Sequence, residues 1–488
     1  MAGGAVVAGG SGGNPLRHGF IRREYLWAFI LVTSLFFLWG FAYGLLDVLN
    51  KHFQNVLGIT KLQSTGLQVA YFGIGYFAYS PVAGEVLKRR GYKTAIVMGL
   101  SLYSLGAILF WPVAKFSVNT KNPQAIFGGF VICTAVIACG LATLEVAANS
   151  YVSVMPPHNV ANFRLQFSQS FNGVASFTGP LIASKYFFSE ENKNNLNNVQ
   201  WVYLAVSGMG MLVALAFILT KLPEVSEEAL QAEAEALAES HGADSQAAQP
   251  FYKQYRAITG FVAQFLYVGA QVTIGSFFLN YTAENAHIAD SKGSQLLSYA
   301  LIIFTVGRFV GTALLAVVSA PVLLCIYAIM CALLSLLIGS LHGMSGVICL
   351  MLVMFFESIM YPCIFVLGTS GLGRHTRRAA ALLVMGVSGG AVFPPIQGAI
   401  ADKFSTRTSY YLVVPCFIYI ALWAVYIWNK DGRRFGVPAT SDIEREVEAA
   451  AGGVVPAAAV GALGYTHKQE EEMYETAEKD QIETVEKA

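Results

Sequence analysis

Charge is scarce in this sequence, and the scarcity excludes more than any motif does. Asp, Glu, Lys and Arg make up 12% of the 488 residues while 55% are hydrophobic, whereas a soluble chain carries about 25% charged residues. A soluble globular protein is excluded, and a polytopic membrane protein with the lipid bilayer as its surroundings is expected. An excess of positive charge is also lacking. The formal net charge is +1, which argues against a nucleic-acid partner, since phosphate binding needs a concentrated positive field. The seven cysteines (Cys133, Cys139, Cys325, Cys331, Cys349, Cys363, Cys416) lie in or at apolar segments, with neither metal-site spacing nor paired positions in outer loops. They read as small hydrophobes, and no metal or cofactor is expected. No signal peptide is evident: the first apolar run begins near Tyr25 and is too long for a signal h-region, so it should stay as a helix.

Apolar stretches of spanning length fall at about 25–50, 62–88, 93–115, 124–153, 161–187, 199–222, 255–284, 292–318, 320–341, 345–370, 377–402 and 408–429. By the roughly 20-residue criterion they predict an all-α membrane protein of twelve transmembrane helices. Residues 1–24 read as a disordered N-terminus, 25–222 and 255–429 as two six-helix bundles, 223–254 as a polar linker and 430–488 as an acidic, solvated tail. If the helices alternate, Arg17, Arg22 and Arg23, Lys88 to Lys93, Arg164, Lys221, Lys253 and Arg256, Arg374 to Arg378 and Lys430 to Arg434 share one side. That side should be cytoplasmic, with both termini inside. The plasma membrane is the expected location.

Asp47 stands inside the apolar run LFFLWGFAYGLLDVLNKHFQ, where a carboxylate needs a reason. Charge at mid-membrane costs roughly 2.5–3.5 kcal/mol on insertion scales, so such residues line polar cavities and do work. Trp39, Tyr43 and Asp47 are spaced i, i+4, i+8 and fall on one helical face. The alternative is a carboxylate reaching outward to water beside Lys51 and His52. Four further helices carry such pairs: Glu145 with Asn149, Gln169 with Asn172, Tyr267 with Gln271, and Glu357 with Tyr361. Any one of these could instead bond across a helix interface, but a pattern shared by five helices favours a common polar cavity. Arg308 is the other ionisable group inside a span; a structural salt bridge with a carboxylate is expected for it, outside the binding cavity.

The halves look like weak parallel repeats. Phe37-Leu-Trp-Gly-Phe-Ala42 resembles Phe265-Leu-Tyr-Val-Gly-Ala270, Gly173-Val-Ala-Ser-Phe177 resembles Gly389-Gly-Ala-Val-Phe393, and Glu145 falls opposite Glu357. These matches occupy the first, fourth and fifth helix of each half, as expected for two bundles around a central path; the handling of parallel halves in this way is established for one large transporter class.

Together with Leu144-Glu-Val-Ala-Ala-Asn149, Phe163-Arg-Leu-Gln-Phe-Ser-Gln-Ser-Phe-Asn172, Tyr267-Val-Gly-Ala-Gln271, Gly307-Arg-Phe-Val-Gly-Thr312 and Ser358-Ile-Met-Tyr-Pro362, the first-helix motif resembles the fucose:proton symporter family of the major facilitator superfamily over residues 25–430. The resemblance implies proton-driven monosaccharide uptake by alternating access, in a protein that works as a monomer. It assigns proton coupling to Asp47 and Glu145 and places Gln169 and Asn172 in the sugar cavity. Trp39, Tyr43, Asn149, Tyr267, Gln271 and Tyr361 complete the expected set: sugar hydroxyls need amide and carboxylate partners, and the C–H face of the ring stacks on an aromatic. Gly84-Glu-Val-Leu-Lys-Arg-Arg-Gly-Tyr-Lys93 looks like the superfamily's basic loop, with Gly84, Arg89, Arg90 and Gly91 gating, and the second half keeps no recognisable copy. Arg308 and Glu357 are grouped with these as gating or structural residues. Tyr43, Gly44, Leu46 and Met360 depart from bacterial fucose carriers, and Ser-Ile-Met-Tyr-Pro is closer to the glucose/galactose branch.

Two rival classes compete with transport. Gly386-Val-Ser-Gly389 would suit an intramembrane hydrolase only with a general base in reach, and all eight histidines fall in predicted loops, tails or helix ends. The glycines read instead as packing and bending positions beside Pro394 and Pro395. A non-transporting sugar sensor on the same fold is the second rival, and the retained carboxylates favour transport over it.

Overall fold

The computed structural model describes residues 21, 25–57, 66–117, 122–155, 160–187, 197–223 and 250–436, with side chains left undescribed at 42–57 and 177–187 among others. The expected linker and tail therefore lie largely outside the described residues, as do the side chains of Tyr43 and Asp47.

Among the described residues the helical segments group into twelve helices. The first, α1, is Leu26–Leu57. Next, α2 comprises Gly66–Gln68, the π-helical Val69–Ala78 and the start of Ser80–Ser117, and α3 is the remainder of Ser80–Ser117. The division is Gly91, whose φ of 79° and ψ of 176° are not helical; a residue with a Cβ would resist that backbone, so the turn expected after the second span is built on glycine. The N-terminal bundle is completed by α4 (Pro123–Val154), α5 (Ala161–Phe187) and α6 (Asn197–Leu219). Asn122 caps α4, its Oδ1 accepting from Gln124 N and Ala125 N, with Pro123 at the first position.

The second bundle begins with α7, which runs as Tyr255–Ser276 and, past Phe277, as Phe278–Ala286. It continues with α8 (Asp290–Leu315) and α9 (Ala320–Ser340). Next, α10 is broken into Met344–Glu357 and Met360–Thr369. Pro362 has no N–H for the Ser358 carbonyl, which accounts for a break at that turn. In α11, Thr376–Met385 passes through the tighter turn Gly386–Ser388 into Gly389–Lys403. Finally, α12 runs Thr406–Ser409, Tyr410–Val413 and Val414–Lys430.

Among the described residues nine helices are long and apolar enough to cross a membrane, one of them, Val69–Lys115, running through both α2 and α3; the shorter apolar stretch Leu26–Phe41 belongs to α1. The outward surface is apolar as lipid demands: Ile132 is 65% exposed, Leu212 68%, Leu219 76% and Leu422 65%. Inside each half the fifth helix presses on the first. A Cβ on Gly40 of α1 would lie 2.3 Å from the Asn172 carbonyl oxygen of α5, and one on Gly269 of α7 would lie 2.3 Å from the Phe393 ring of α11. The Gly-x-Ser-Gly string of α11 serves the same contact, since a Cβ on Gly389 would meet the Phe265 carbonyl oxygen at 2.0 Å. That is the packing role expected of those glycines.

The basic loops gather at one end of the molecule. Lys93 Nζ donates to the carbonyls of Ile218 (2.8 Å) and Thr220 (2.9 Å), and Arg256 is ion-paired with Asp431. Arg377 Nη1 donates to the carbonyls of Leu87 and Lys88 at 3.4 Å and lies over the Tyr92 ring, while Arg378 pairs with Glu85 at 3.4 Å. Arg89 also pairs with Glu85. A Cβ on Gly84 would be 2.3 Å from Ala381 Cβ, so α2 and α11 touch at this end. The two halves are closed against each other there.

Candidate functional site

Polar side chains from six helices meet midway between the halves and form a connected chain of hydrogen bonds. Its centre is Tyr361 on the second part of α10, whose hydroxyl donates to Glu145 Oε1 on α4. The same hydroxyl accepts from Asn149 Nδ2 at 3.3 Å. One turn separates Glu145 from Asn149, so the i,i+4 spacing does present both to one partner. Asn149 Oδ1 in turn accepts from Gln169 Nε2 of α5 at 3.2 Å. Glu145 and Asn149 are 3% and 0% exposed, and Gln169 is fully buried. The second carboxylate oxygen, Glu145 Oε2, has no hydrogen-bond partner among the described residues. A buried acceptor left open in this way is able to take a ligand hydroxyl or carry a proton.

On the far side of Gln169 the chain crosses to the C-terminal half. Arg308 Nη1 of α8 donates to the Gln169 backbone carbonyl, to Gln169 Oε1 at 3.3 Å and to Asn172 Oδ1 at 3.3 Å. Asn172 Nδ2 donates to the Phe36 carbonyl of α1 at 3.2 Å. This corrects the expectation for Arg308. Among the described residues it forms no salt bridge, and it holds the two residues assigned to the sugar cavity rather than standing apart from them. The reason is helix packing: a Cβ on Gly311, one turn on, would meet Ile359 at 2.0 Å and Gln166 at 3.8 Å, so α8 lies close enough to α5 for the guanidinium to reach its carbonyls.

Trp39 closes the other side. Its ring centroid is 6.3 Å from that of Tyr361, and its Nε1 donates to Tyr71 Oη at 3.3 Å. Tyr71 and Tyr76 share a hydrogen bond of 3.3 Å between their hydroxyls, and Tyr76 stands beside Glu145. These two tyrosines join the polar chain, and reading the sequence did not single them out. They are spaced i,i+5, which is out of register on an α-helix but in register on the π-helical Val69–Ala78.

Three expected residues sit differently. Tyr267 is fully buried and donates to the Glu357 backbone carbonyl at 3.1 Å. Gln271, one turn on, is half-buried and has no hydrogen bond among the described residues, so the two share no hydrogen-bond partner. Glu357 and Tyr361 are separated by the break in α10: Tyr361 reaches across to the first half, while Glu357 stays within the second, 0% exposed and with neither carboxylate oxygen hydrogen-bonded. No group of three or more His, Cys, Asp or Glu that could hold a metal ion occurs among the described residues.

A family profile described as Major Facilitator Superfamily matches residues 28–393. The glucose/galactose transporter of Brucella abortus biovar 1 (strain 9-941) is 31% identical over 411 residues, covering 83% of this chain and 95% of that one. The L-fucose-proton symporter of Escherichia coli (strain K12) is 31% identical over 423 residues, covering 82% of this chain and 93% of that one. Among solved structures, the transporter FucP in the outward conformation superposes with a TM-score of 0.71 at 30% identity, covering 83% of this chain and 99% of that one. The proton:xylose symporter XylE bound to 6-bromo-6-deoxy-D-glucose, at 15% identity and a TM-score of 0.63, shares the fold. Twelve helices in two packed halves, a profile covering most of the length and relatives matched almost end to end make the chain an integral, multi-pass member of the Major Facilitator Superfamily, alongside its fucose:proton symporters and glucose/galactose transporters.

Proposed function

We propose that the protein is a proton-coupled monosaccharide transporter that works by alternating access, with D-glucose, D-galactose or L-fucose as the sugar class its relatives' names point to. The observation that carries this reading is the shared hydroxyl of Tyr361. One group bonds a buried carboxylate of the first half and an amide next to Gln169, so proton occupancy of Glu145 and sugar contacts at the amides are directly linked. Trp39, Asn149, Gln169, Asn172 and Tyr361 form the sugar-binding group, with Tyr267 and Gln271 on its periphery; Tyr43 is assigned to it, and Asp47 to proton carriage beside Glu145, on the sequence alone.

Closure of α2 against α11 at the basic-loop end fits a state open on the opposite side, in keeping with the similarity to a structure named for its outward conformation. The basic end is the cytoplasmic one, both termini lie inside, and the protein works as a monomer in the plasma membrane. Gly84, Arg89, Arg90 and Gly91 belong to the gate. A proton neutralises a charge that the closed cavity disfavours, sugar binds, the halves rock, and release inside follows deprotonation. The membrane potential adds about 2.3 kcal/mol per 100 mV for each charge moved, enough to concentrate a neutral sugar tens of fold.

The test is uptake of radiolabelled D-glucose, D-galactose and L-fucose by purified protein in sealed vesicles with an acidic exterior. Accumulation of at least one sugar above its external concentration, abolished by a protonophore, is expected. Equilibration without accumulation, or no uptake of any of the three, contradicts the proposal.

A further inference from the structure

Tyr71 and Tyr76 are two buried hydroxyls that stand between Trp39 and Glu145, and the proposed cycle gives them no part. They are 3% and 0% exposed. The π-helical segment that carries them is pressed on α4, since a Cβ on Gly75 would lie 2.5 Å from Ala138 Cβ, two turns before Glu145. Tyr76 stands beside the Glu145 carboxyl, and its hydroxyl is 3.3 Å from that of Tyr71. Tyr71 in turn accepts from Trp39 Nε1 at 3.3 Å. The other titratable groups facing this line are Tyr361 of α10, at Glu145 and Tyr76, and Tyr103 of α3, at Tyr71.

Chemistry fixes the direction in which the line runs. An indole N–H can only donate and a carboxylate can only accept, whereas a hydroxyl does both. With Glu145 ionised, Tyr76 donates to the carboxylate, Tyr71 to Tyr76, and Trp39 to Tyr71. With Glu145 protonated the carboxyl has an O–H to give, and the line runs the other way, from Glu145 to Tyr76 to Tyr71. Tyr71 Oη is then supplied by Tyr76 and no longer calls for the indole N–H, and its own O–H turns aside. Acceptors are in place for it: Tyr71 shares a small cavity with Tyr103 and Thr134, whose hydroxyl oxygens have no hydrogen-bond partner among the described residues.

We propose that Tyr71 and Tyr76 are positioning residues of a reversible hydrogen-bond line through which the N–H of Trp39 and the proton of Glu145 control each other. A proton taken by the Glu145 carboxylate from the water of the open cavity reverses the line, and the indole N–H is released to a hydroxyl of the sugar that stacks on Trp39. After the halves rock, Glu145 gives that same proton to water on the inner side, the line turns back, the indole N–H returns to Tyr71, and the sugar loses a contact and leaves. The tyrosine hydroxyls only rotate and each keeps its own proton, so one proton enters and one leaves in each cycle, in the direction of the sugar. Because coupling is reciprocal, sugar binding draws a proton onto Glu145 by the same factor by which the proton favours sugar. This inference rests on the sugar-transport reading above and on Glu145 as a proton carrier.

The test is calorimetric titration of the purified full chain with D-glucose, D-galactose and L-fucose at a series of pH values, each in two buffers of different ionisation enthalpy, from which the protons exchanged per sugar bound are obtained. The wild type takes up as much as about one proton per sugar through Glu145, where this group is ionised in the sugar-free protein. Tyr71→Phe and Tyr76→Phe each bind sugar within about tenfold of the wild type and take up roughly half as many protons or fewer. The same two changes made in Glu145→Gln leave the proton count of that variant as it is, which a merely structural role of the tyrosines does not predict. If Tyr71→Phe fails to bind, Tyr76→Phe decides, and loss of binding in both makes the tyrosines structural and overturns the proposal. An unchanged proton count in both variants, or a loss of protons that persists in Glu145→Gln, overturns it while leaving sugar transport standing. Sugar binding by the wild type without proton uptake at any pH overturns it as well. No binding of any of the three sugars overturns the transport reading and this inference together.

Discussion

Tyr361 donates its phenolic proton to Glu145 and accepts from Asn149, so the state of the carboxyl is passed to the amide that holds Gln169. Removing one member of such a buried chain leaves its partner unsatisfied, at a cost of about 1–3 kcal/mol. Tyr361→Phe and Gln169→Ala are expected to weaken sugar binding by that amount each, and Trp39→Ala to do so through loss of a stacking face. Equilibrium binding of labelled sugar is the check, and unchanged affinity in all three would return these residues to helix packing. Asn172→Ala should differ, because Asn172 also ties α5 to the Phe36 carbonyl and to Gly40; reduced thermal stability is expected there along with weaker binding. Glu145, Asn149, Gln169 and Asn172 were legible in the sequence because i,i+3 and i,i+4 spacing is a local property. Tyr71 and Tyr76 were not, since their alignment depends on a π-helical turn, and the partner of Arg308 was not, since it lies on another helix far along the chain.

At the level of helices, the contact of α2 with α11 is the proposed gate, whose basic loop the sequence displayed and whose opposite wall it did not. Gly84, Arg89, Arg90 and Gly91 could be read as a turn motif, but Ala381 and Arg377 became visible as its partners only in three dimensions. The break at Gly91 within a continuous-looking helix and the interruption of α10 before Pro362 follow from residue chemistry, whereas the shift in α7 at Phe277 carries no comparable signal. Gly84→Val places a branched side chain where a single Cβ would already stand 2.3 Å from Ala381. Overpacking of this kind costs about 1–3 kcal/mol, which the protein avoids by opening this end. Transport by Gly84→Val should fall about tenfold, and a cysteine introduced as Ala380→Cys, buried in the native chain, should be labelled faster by an impermeant maleimide applied from the basic-loop side. Equal labelling rates with and without Gly84→Val would show that this contact does not hold the gate.

For the whole molecule, the division into two bundles was legible because hydropathy counts helices and the Gly-bearing motifs repeat; Gly40 against α5 and Gly269 against α11 are the same junction made once in each half. The chain of hydrogen bonds from Trp39 to Arg308 joins those halves, so rocking them apart must break it, and a proton and a sugar are proposed to decide when. Asp47 on α1 and Glu145 on α4 are proposed to exchange protons with opposite sides of the membrane. Asp47→Asn is expected to insert normally and to abolish accumulation against a gradient, measured as steady-state uptake under an imposed pH difference; a variant that still concentrates sugar would remove Asp47 from the coupling. The most direct measurement compares two assays on Glu145→Gln, which keeps a hydrogen-bond acceptor for Tyr361 and carries no exchangeable acid. The account predicts that this variant binds sugar and exchanges it across vesicles at a rate near that of the wild type, yet shows no net uptake driven by a proton gradient; an exchange rate as low as its net uptake would contradict the account and make Glu145 a structural or binding residue.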